Sequence, residues 1–303
     1  MRTQKLLLGF LASVMLAAPR VFAKPLQVVT TTSDLAAIVA DIGGSDVRVE
    51  PLIPGNQNAH FFDGASTHIK TLASADLFIQ TGVGLESGWA PSLIQRSRNK
   101  SIQPGTKGFL DASGVITPVD TPTDSTQPSG DIHPNGNPHY LTDPGNGKLV
   151  ADLIAKKLTE LAPLNAGFFE KNRKSFQSRL DMRIQEWTHK MAPLKGTAFV
   201  SYHKNWTYFA KRFELGSMGE IEPKPGIPPS AADVQALTSR MKSNGVKILL
   251  IDPWSDKTTA ESIAKATRAK IIPMAVGPGA APKTTDYLST IDYNVNALLK
   301  TLK

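Results

Sequence analysis

Cysteine is absent from this sequence of 303 residues. Without thiols the chain can form neither a disulfide framework nor a thiolate metal site, whatever compartment it occupies. A transition metal could then be bound only through His, Asp or Glu side chains. The sequence contains six histidines, so their positions are the first place to look for a metal site.

Long hydrophobic runs are also missing beyond the N-terminus, where no stretch approaches the ~20 apolar residues of a membrane helix. The chain begins with a basic stretch at 1–5, an apolar run at 6–18 and a small residue at Ala23. This pattern is typical of a secretory signal peptide, and the run is short for an uncleaved membrane anchor. We therefore predict a signal peptide at 1–23 and a periplasmic mature protein that begins near Lys24.

Charge of one sign is not concentrated in any part of the chain. The formal net charge is +8, and the predicted signal peptide supplies three of these charges through Arg2, Lys5 and Arg20. Lysine and arginine form no run and are not interleaved with aromatic residues, which argues against nucleic acid as a partner. The remaining ~280 residues are long for one compact core and favour two domains.

The N-terminal half alternates apolar strands with helical patterns. Strands are predicted at 26–31, 47–53 and 75–81, and apolar residues at helical spacing follow the first strand. This order predicts βαβ units with right-handed crossovers and a mainly parallel sheet. Residues 112–138 are instead rich in Pro, Gly, Ser, Thr and Asp without any apolar period, which indicates a long flexible surface loop.

The C-terminal half repeats this rhythm, with strands predicted at 198–202, 247–252 and 270–273. The stretch 165–191 before it has a helical pattern, and a helix of that length would extend ~40 Å. We therefore predict an α/β fold with two similar lobes, each with a mainly parallel sheet, joined by one long linking helix. The predicted limits are 24–163 for the N-terminal lobe, 164–192 for the linking helix and 193–303 for the C-terminal lobe.

Three histidines lie where a strand should end or a loop begin. His60 lies in PGNQNAHFFDG after a predicted strand, His139 lies in GNPHYLTDP after the long loop, and His203 directly follows the strand AFVSY. Ligands of parallel α/β sheets collect outside the carboxyl ends of the strands, so these three imidazoles could share one crevice. Any one of them alone would be interpreted as an ordinary loop histidine.

These segments together resemble the metal-specific solute-binding proteins of ABC importers, the cluster A-I family, which supply zinc or manganese. NAHFFDG is similar to the first ligand segment of that family, and ADLFIQTGVGLESGW to the strand and turn that follow it. GNPHYLTDP is similar to the second ligand segment and SYHKNWTYFAKRFEL to the third. Each motif is weak alone, but four in order behind a predicted signal peptide are specific. The resemblance covers essentially the whole mature chain.

The resemblance implies a metal held between the two lobes by His60, His139 and His203, with zinc as the transported ligand. Three histidines favour zinc in this family, because manganese carriers more often have Glu at the third position. The chemistry agrees, since imidazole suits Zn²⁺ and oxygen-rich sites suit Mn²⁺. The partners expected are a zinc ion, the membrane permease of the importer and, as a further candidate, a periplasmic metallochaperone, with the protein itself a monomer.

The fourth ligand is where the sequence departs from the family pattern. Many relatives have a late Asp as a ligand, but Gly277 lies at the matching place in PMAVGPGAAP. Asp252 ends the predicted strand KILLID, and Glu222 lies in the loop EIEPKPGIPP, so either carboxylate is a candidate ligand. A water molecule or His133, from the long loop, are the other candidates.

The function predicted is therefore periplasmic capture of zinc and its delivery to an ABC importer, without catalysis. A manganese carrier of the same family is the nearest alternative. A zinc-dependent hydrolase is a more distant one, because three histidines and an open position also describe catalytic zinc. The sequence has no HExxH pair, no second-metal cluster and no nucleophile motif to support that reading. An adhesin-like surface role has no motif of its own.

Overall fold

The computed structural model describes residues 24–121, 135–222 and 224–302. The predicted signal peptide and His133 therefore lie outside the described residues, as does the part of the predicted loop 112–138 that spans 122–134. Among the helices described, none combines the length and the apolar character needed to cross a membrane.

The N-terminal sheet contains four parallel strands in the order β2-β1-β3-β4. The strands are β1 (Leu26–Thr32), β2 (Val47–Ile53), β3 (Leu77–Gln80) and β4 (Phe109–Asp111). Three helices accompany them: α1 (Ser33–Gly43), α2 (Ser66–Ala73) and α3 (Ala90–Ser97). The central strand β1 is flanked on both sides and buries Val28 and Val29, as expected for a parallel sheet covered on both faces.

The C-terminal sheet has the same construction, with four parallel strands in the order β6-β5-β7-β8. Its strands are β5 (Ala198–Ser201), β6 (Gly216–Glu220), β7 (Ile248–Ile251) and β8 (Lys270–Pro273). Its helices are α6 (Thr207–Phe213), α7 (Ala231–Ser243) and α8 (Lys257–Thr267). Helix α7 begins with a capping box in which Ser230 and Asp233 exchange hydrogen bonds, and this stabilises the turn entering the helix.

Three further helices join the two sheets: α4 (Pro144–Leu161), α5 (Ala166–Met191) and α9 (Tyr287–Leu299). Helix α5 packs on α1, α4 and α9. Phe176 and Trp187 of α5 are fully buried in a hydrophobic core that includes Val28 of the N-terminal sheet and Phe199 of the C-terminal sheet. The two lobes therefore share one continuous core.

The predicted fold is confirmed, with two parallel α/β sheets and a long helix between them. Strands β2 and β8 have the predicted bounds, whereas β4, β6 and α3 were not predicted. Strand β6 reads GSMGE, a sequence without an apolar run, and it is placed by its pairing to β5 rather than by its own composition. The carboxyl ends of both sheets lead into loops that carry the histidines of interest.

Candidate metal centre

His60 lies in the loop that leaves β2 and is 9% exposed. The side-chain oxygen Oδ1 of Asn58 accepts a hydrogen bond from the backbone N–H of His60 at 3.0 Å. The same oxygen lies 2.7 Å from Nδ1 of the His60 ring. Because this oxygen can only accept, Nδ1 carries the ring proton and Nε2 is left with the lone pair that a metal needs.

His139 lies in the segment 137–143 that precedes α4. Its backbone N–H donates to Oδ1 of Asn137 at 2.9 Å, so an asparagine two residues earlier fixes the local turn here as well. The side-chain amide of Asn137 donates to the carbonyl of Lys204 at 2.8 Å. The hydroxyl of Tyr208 donates to the Asn137 carbonyl at 2.8 Å. The segment carrying His139 is thus bound to the C-terminal lobe.

His203 follows β5 and is 5% exposed. Its Nδ1 lies 3.0 Å from Oε2 of Glu222, and a carboxylate there can only accept, so Nδ1 carries the proton. The other ring nitrogen, Nε2, is buried and has no hydrogen-bond partner among the described residues. A buried imidazole nitrogen with a lone pair and no donor is costly unless it binds a ligand.

The three rings come together across the cleft between the lobes. The distances between ring centroids are 5.1 Å for His60 and His139, 4.7 Å for His60 and His203, and 5.4 Å for His139 and His203. One nitrogen from each ring lies within 4.8 Å of the other two. A tetrahedral zinc with bonds of ~2.0–2.1 Å would hold its nitrogen ligands ~3.4 Å apart. Small side-chain shifts would bring the three nitrogens to that spacing.

A small cavity of about 60 Å³ borders two of the histidines, His60 and His139. Its lining comes from both lobes and includes Asp34, His60, His139, Asn205 and Gly277. Gly277 lies against the start of α1, where an added Cβ would be 2.7 Å from the hydroxyl of Ser33. The hydroxyl of Ser33 therefore leaves little space for the carboxylate that the family resemblance places at this position.

Asp252 lies at the end of β7 and is 2% exposed. Its Oδ1 accepts a hydrogen bond from the indole N–H of Trp206 at 3.2 Å, whereas Oδ2 is buried without a hydrogen-bond partner among the described residues. Burial raises the pKa of Asp252 to about 6, although Asn205, His203 and Trp206 oppose the shift. Asp252 does not belong to the group of three histidines whose ligand atoms all lie within 4.8 Å of one another.

Glu222 also stands outside that group of three. Its two oxygens are engaged, since Oε2 faces His203 and Oε1 accepts from the backbone N–H of Gly226 at 2.5 Å. Sequence reasoning did not single out Asn58 and Asn137. The repeated pattern Asn-x-His at 58–60 and 137–139 is the signal that could have found them, because an asparagine accepts hydrogen bonds from the backbone two residues later.

The fold is that of a two-lobed α/β protein, and three histidines from different segments of the chain meet in its cleft as a candidate metal centre. The sequence model of the family described as "Zinc-uptake complex component A periplasmic", ZnuA, matches residues 28–301. The chain belongs to this family. The description of this family names zinc uptake and the periplasm.

Individual relatives agree with this assignment. The chain is 32% identical over 132 residues to the high-affinity zinc uptake system protein ZnuA of Brucella abortus, an alignment that covers 44% of this chain and 40% of that relative's length. It is 24% identical to the manganese ABC transporter substrate-binding lipoprotein PsaA of Streptococcus pneumoniae, over 88% of this chain and 84% of the relative. A solved ZnuA deletion mutant with zinc bound is 25% identical with a TM-score of 0.75, covering 92% of this chain and 96% of that one.

Proposed function

We propose that this protein captures a zinc ion in the periplasm and delivers it to the membrane permease of an ABC importer. The observation that carries the proposal is the convergence of His60, His139 and His203, each from a different segment, on one point in the cleft. We propose these three side chains as the zinc ligands, acting through one ring nitrogen each. The periplasmic location is supported by the family description.

Zinc is proposed over manganese because of the donor set. Three neutral imidazoles form a nitrogen-rich site of the kind that Zn²⁺ occupies, whereas Mn²⁺ prefers carboxylate and water oxygens. The relatives include both a zinc uptake protein and a manganese transporter component, so family membership by itself does not choose the metal. The similar ZnuA mutant structure is described with zinc bound, which supports the choice.

The fourth coordination position is proposed to be Asp252 or a water molecule. Asp252 follows β7, the strand that pairs with β5 and therefore lies next to the strand before His203. Its Oδ2 is buried without a hydrogen-bond partner among the described residues, and a carboxylate there would offset the charge of the ion. The cavity beside the trio could instead hold water, since one water needs ~10–15 Å³ of such space. Glu222, the other carboxylate candidate, is better placed behind His203 because both its oxygens already accept hydrogen bonds.

We propose that the protein binds its ligand without catalysing a reaction, because the site is small. The cavity next to His60 and His139 measures about 60 Å³, whereas pockets for organic ligands usually measure ~300–1,000 Å³. A metal ion with one or two waters fits this space and a peptide or ester does not. The proposal of a carrier therefore stands ahead of a zinc hydrolase.

Growth under zinc limitation tests the transport role. Deleting the gene should impair growth of its host in chelator-treated medium, and added zinc should restore it while manganese should not. The wild-type gene should complement the deletion, the His139→Ala gene should not, and the His189→Ala gene, altered at an exposed histidine on α5, should complement fully. Restoration by manganese in place of zinc would contradict the proposal.

A further inference from the structure

Glu222 stands at a junction between the metal site and a loop on the rim of the cleft. The cover loop is defined here as residues 224–230, which lie between β6 and α7. We propose that Glu222 is a positioning residue that sets the tautomer of His203 and couples zinc retention to the cover loop. This inference rests on the proposed function. Glu222 makes one hydrogen bond to His203 and one to Gly226, and Gly226 contacts Phe61 across the cleft.

The first hydrogen bond joins Glu222 to the third histidine. Oε2 lies 3.0 Å from Nδ1 of His203, and the side chains are 11% and 6% exposed. A carboxylate in this position accepts the Nδ1 proton, which leaves the Nε2 lone pair directed to the other two histidines. Carboxylates behind metal-bound histidines fix the ring and raise the basicity of the ligand nitrogen, and exclusion of water strengthens the hydrogen bond.

The second hydrogen bond joins the same carboxylate to the cover loop. Oε1 accepts from the backbone N–H of Gly226 at 2.5 Å. Gly226 has a φ of +75° and would place a Cβ 2.5 Å from the ring of Phe61. This position therefore requires glycine, both for its backbone conformation and for the close approach of the aromatic ring.

Phe61 makes the link across the cleft, because it is the residue after His60 in the N-terminal lobe. Its side chain is 57% exposed, so its contact with Gly226 lies at the outer rim of the site. One carboxylate thus connects His203, the cover loop and the neighbour of His60. Zinc bound at Nε2 would polarise the Nδ1–H group, strengthen its bond to Glu222 and hold the cover loop against Phe61.

Glu222→Ala and Glu222→Gln separate the two hydrogen bonds. The alanine variant removes both acceptors, so zinc affinity should fall ~10–100-fold. Nitrogen-15 NMR of the metal-free protein should show His203 shifting away from the Nδ1–H tautomer. The glutamine variant retains one acceptor oxygen, so it should keep the Nδ1–H tautomer and most of the affinity, while its amide group no longer accepts from Gly226.

Glu220→Gln is the matched control, because Glu220 is a half-buried carboxylate two residues earlier with an electrostatic influence on His203. This variant should leave the His203 tautomer unchanged and the zinc affinity within ~3-fold of wild type. That change is much smaller than the loss expected for Glu222→Ala. Equal effects of Glu220→Gln and Glu222→Ala, or an unchanged tautomer in Glu222→Ala, would overturn the positioning role. Zinc binding by the wild-type protein would still stand in that case, so the proposed function is judged separately.

Hydrogen exchange at the Gly226 amide tests the coupling to the cover loop. Zinc should slow this exchange in the wild-type protein, and Glu222→Gln should remove the slowing. Phe61→Ala should speed zinc release, measured by chelator competition in a stopped-flow instrument, without changing the His203 tautomer. Exchange at Gly226 that does not respond to zinc, or release from Phe61→Ala at the wild-type rate, would overturn the coupling.

Discussion

At the scale of single residues, hydrogen bonds orient two of the proposed ligands in the metal-free protein. Asn58 holds the ring of His60 through Nδ1, and Glu222 holds that of His203 in the same way. Both rings therefore direct Nε2 inwards. A ring whose rotation is already restricted loses less entropy on binding, so this arrangement favours tight capture of a dilute ion.

The first prediction compares two candidate ligands. Replacing His139 with alanine removes one of three converging nitrogens, so zinc affinity should fall more than ~100-fold, and Asp252→Ala should cost roughly 10 to 100-fold. Calorimetric titration with zinc measures both. His189→Ala is the control, since this histidine is exposed on α5. Unchanged affinity in Asp252→Ala would assign the fourth position to water, and unchanged affinity in His139→Ala would contradict the site.

The second prediction concerns a buried carboxyl away from the ligands. Glu86 accepts hydrogen bonds from the hydroxyl of Thr31 and the backbone N–H groups of Thr81 and Gly82. Burial nevertheless raises its pKa from 4.5 to about 7. The folded protein thus keeps a proton that the unfolded chain has lost between those pH values, so its stability falls as pH rises through this window.

Urea unfolding of the metal-free protein at pH 4.5 and pH 8 measures this effect. Over that interval wild type should lose on the order of 3 kcal/mol relative to Glu86→Gln, whose side chain does not titrate. Other titrating groups are common to both proteins and cancel in the difference. A difference between the two proteins that does not change with pH would contradict the prediction.

At the scale of elements, the cleft is closed by close backbone contact as well as by side chains. Gly55 follows β2, and a Cβ at this position would lie 2.4 Å from the carbonyl oxygen of Pro278 and 2.7 Å from that of Gly277. The loops after β2 and β8 therefore touch directly across the lobes. This contact sets the distance between His60 and the C-terminal lobe.

The third prediction follows from this contact. Gly55→Ala should force the two loops apart, lower the free energy of unfolding by about 1–3 kcal/mol and weaken zinc binding. Gly88→Ala is the matched control, because no atom of the described residues beyond its two chain neighbours lies within 4 Å of the Cβ it would add. Thermal melting and zinc titration of both variants provide the measurement. Gly55→Ala with the stability and affinity of Gly88→Ala would show that the loops can separate freely.

The elements also show what could be predicted from the sequence and what could not. Strands with continuous apolar runs, such as β3 and β7, were predicted because burial on both faces leaves that pattern. Strand β6 was not predicted, since its extended conformation depends on pairing with β5 and not on an apolar pattern of its own. The three histidines were predicted as residues at strand ends or in loops that could share one crevice. The role of Glu222 behind His203 depends on loop geometry that no spacing in the sequence encodes.

At the scale of the whole molecule, the shared core limits how far the lobes can move. Helix α5 is packed against elements of both lobes, and its buried Phe176 and Trp187 belong to the core that continues into both sheets. The hydroxyl of Tyr287 on α9 also donates to the carbonyl of Leu141 at 2.7 Å. A wide hinge opening would expose this apolar surface at a large cost in free energy.

The fourth prediction is that zinc changes stability far more than shape. A ligand that binds only the folded protein raises the melting temperature by mass action. Small-angle scattering should meanwhile show almost no change in radius of gyration, because closure is limited to small tilts and ordering of loops. A large contraction on adding zinc would contradict the account of a continuous core.

The most direct test of the account is a calorimetric titration of the metal-free protein with zinc and with manganese at neutral pH. The three-histidine site predicts one zinc per chain, bound tightly, and manganese bound much more weakly. Zinc binding should weaken in acid, because an imidazole must be neutral to bind metal and protons compete with the ion for the ring nitrogens. Tighter binding of manganese than zinc, or no binding of either metal, would contradict the account.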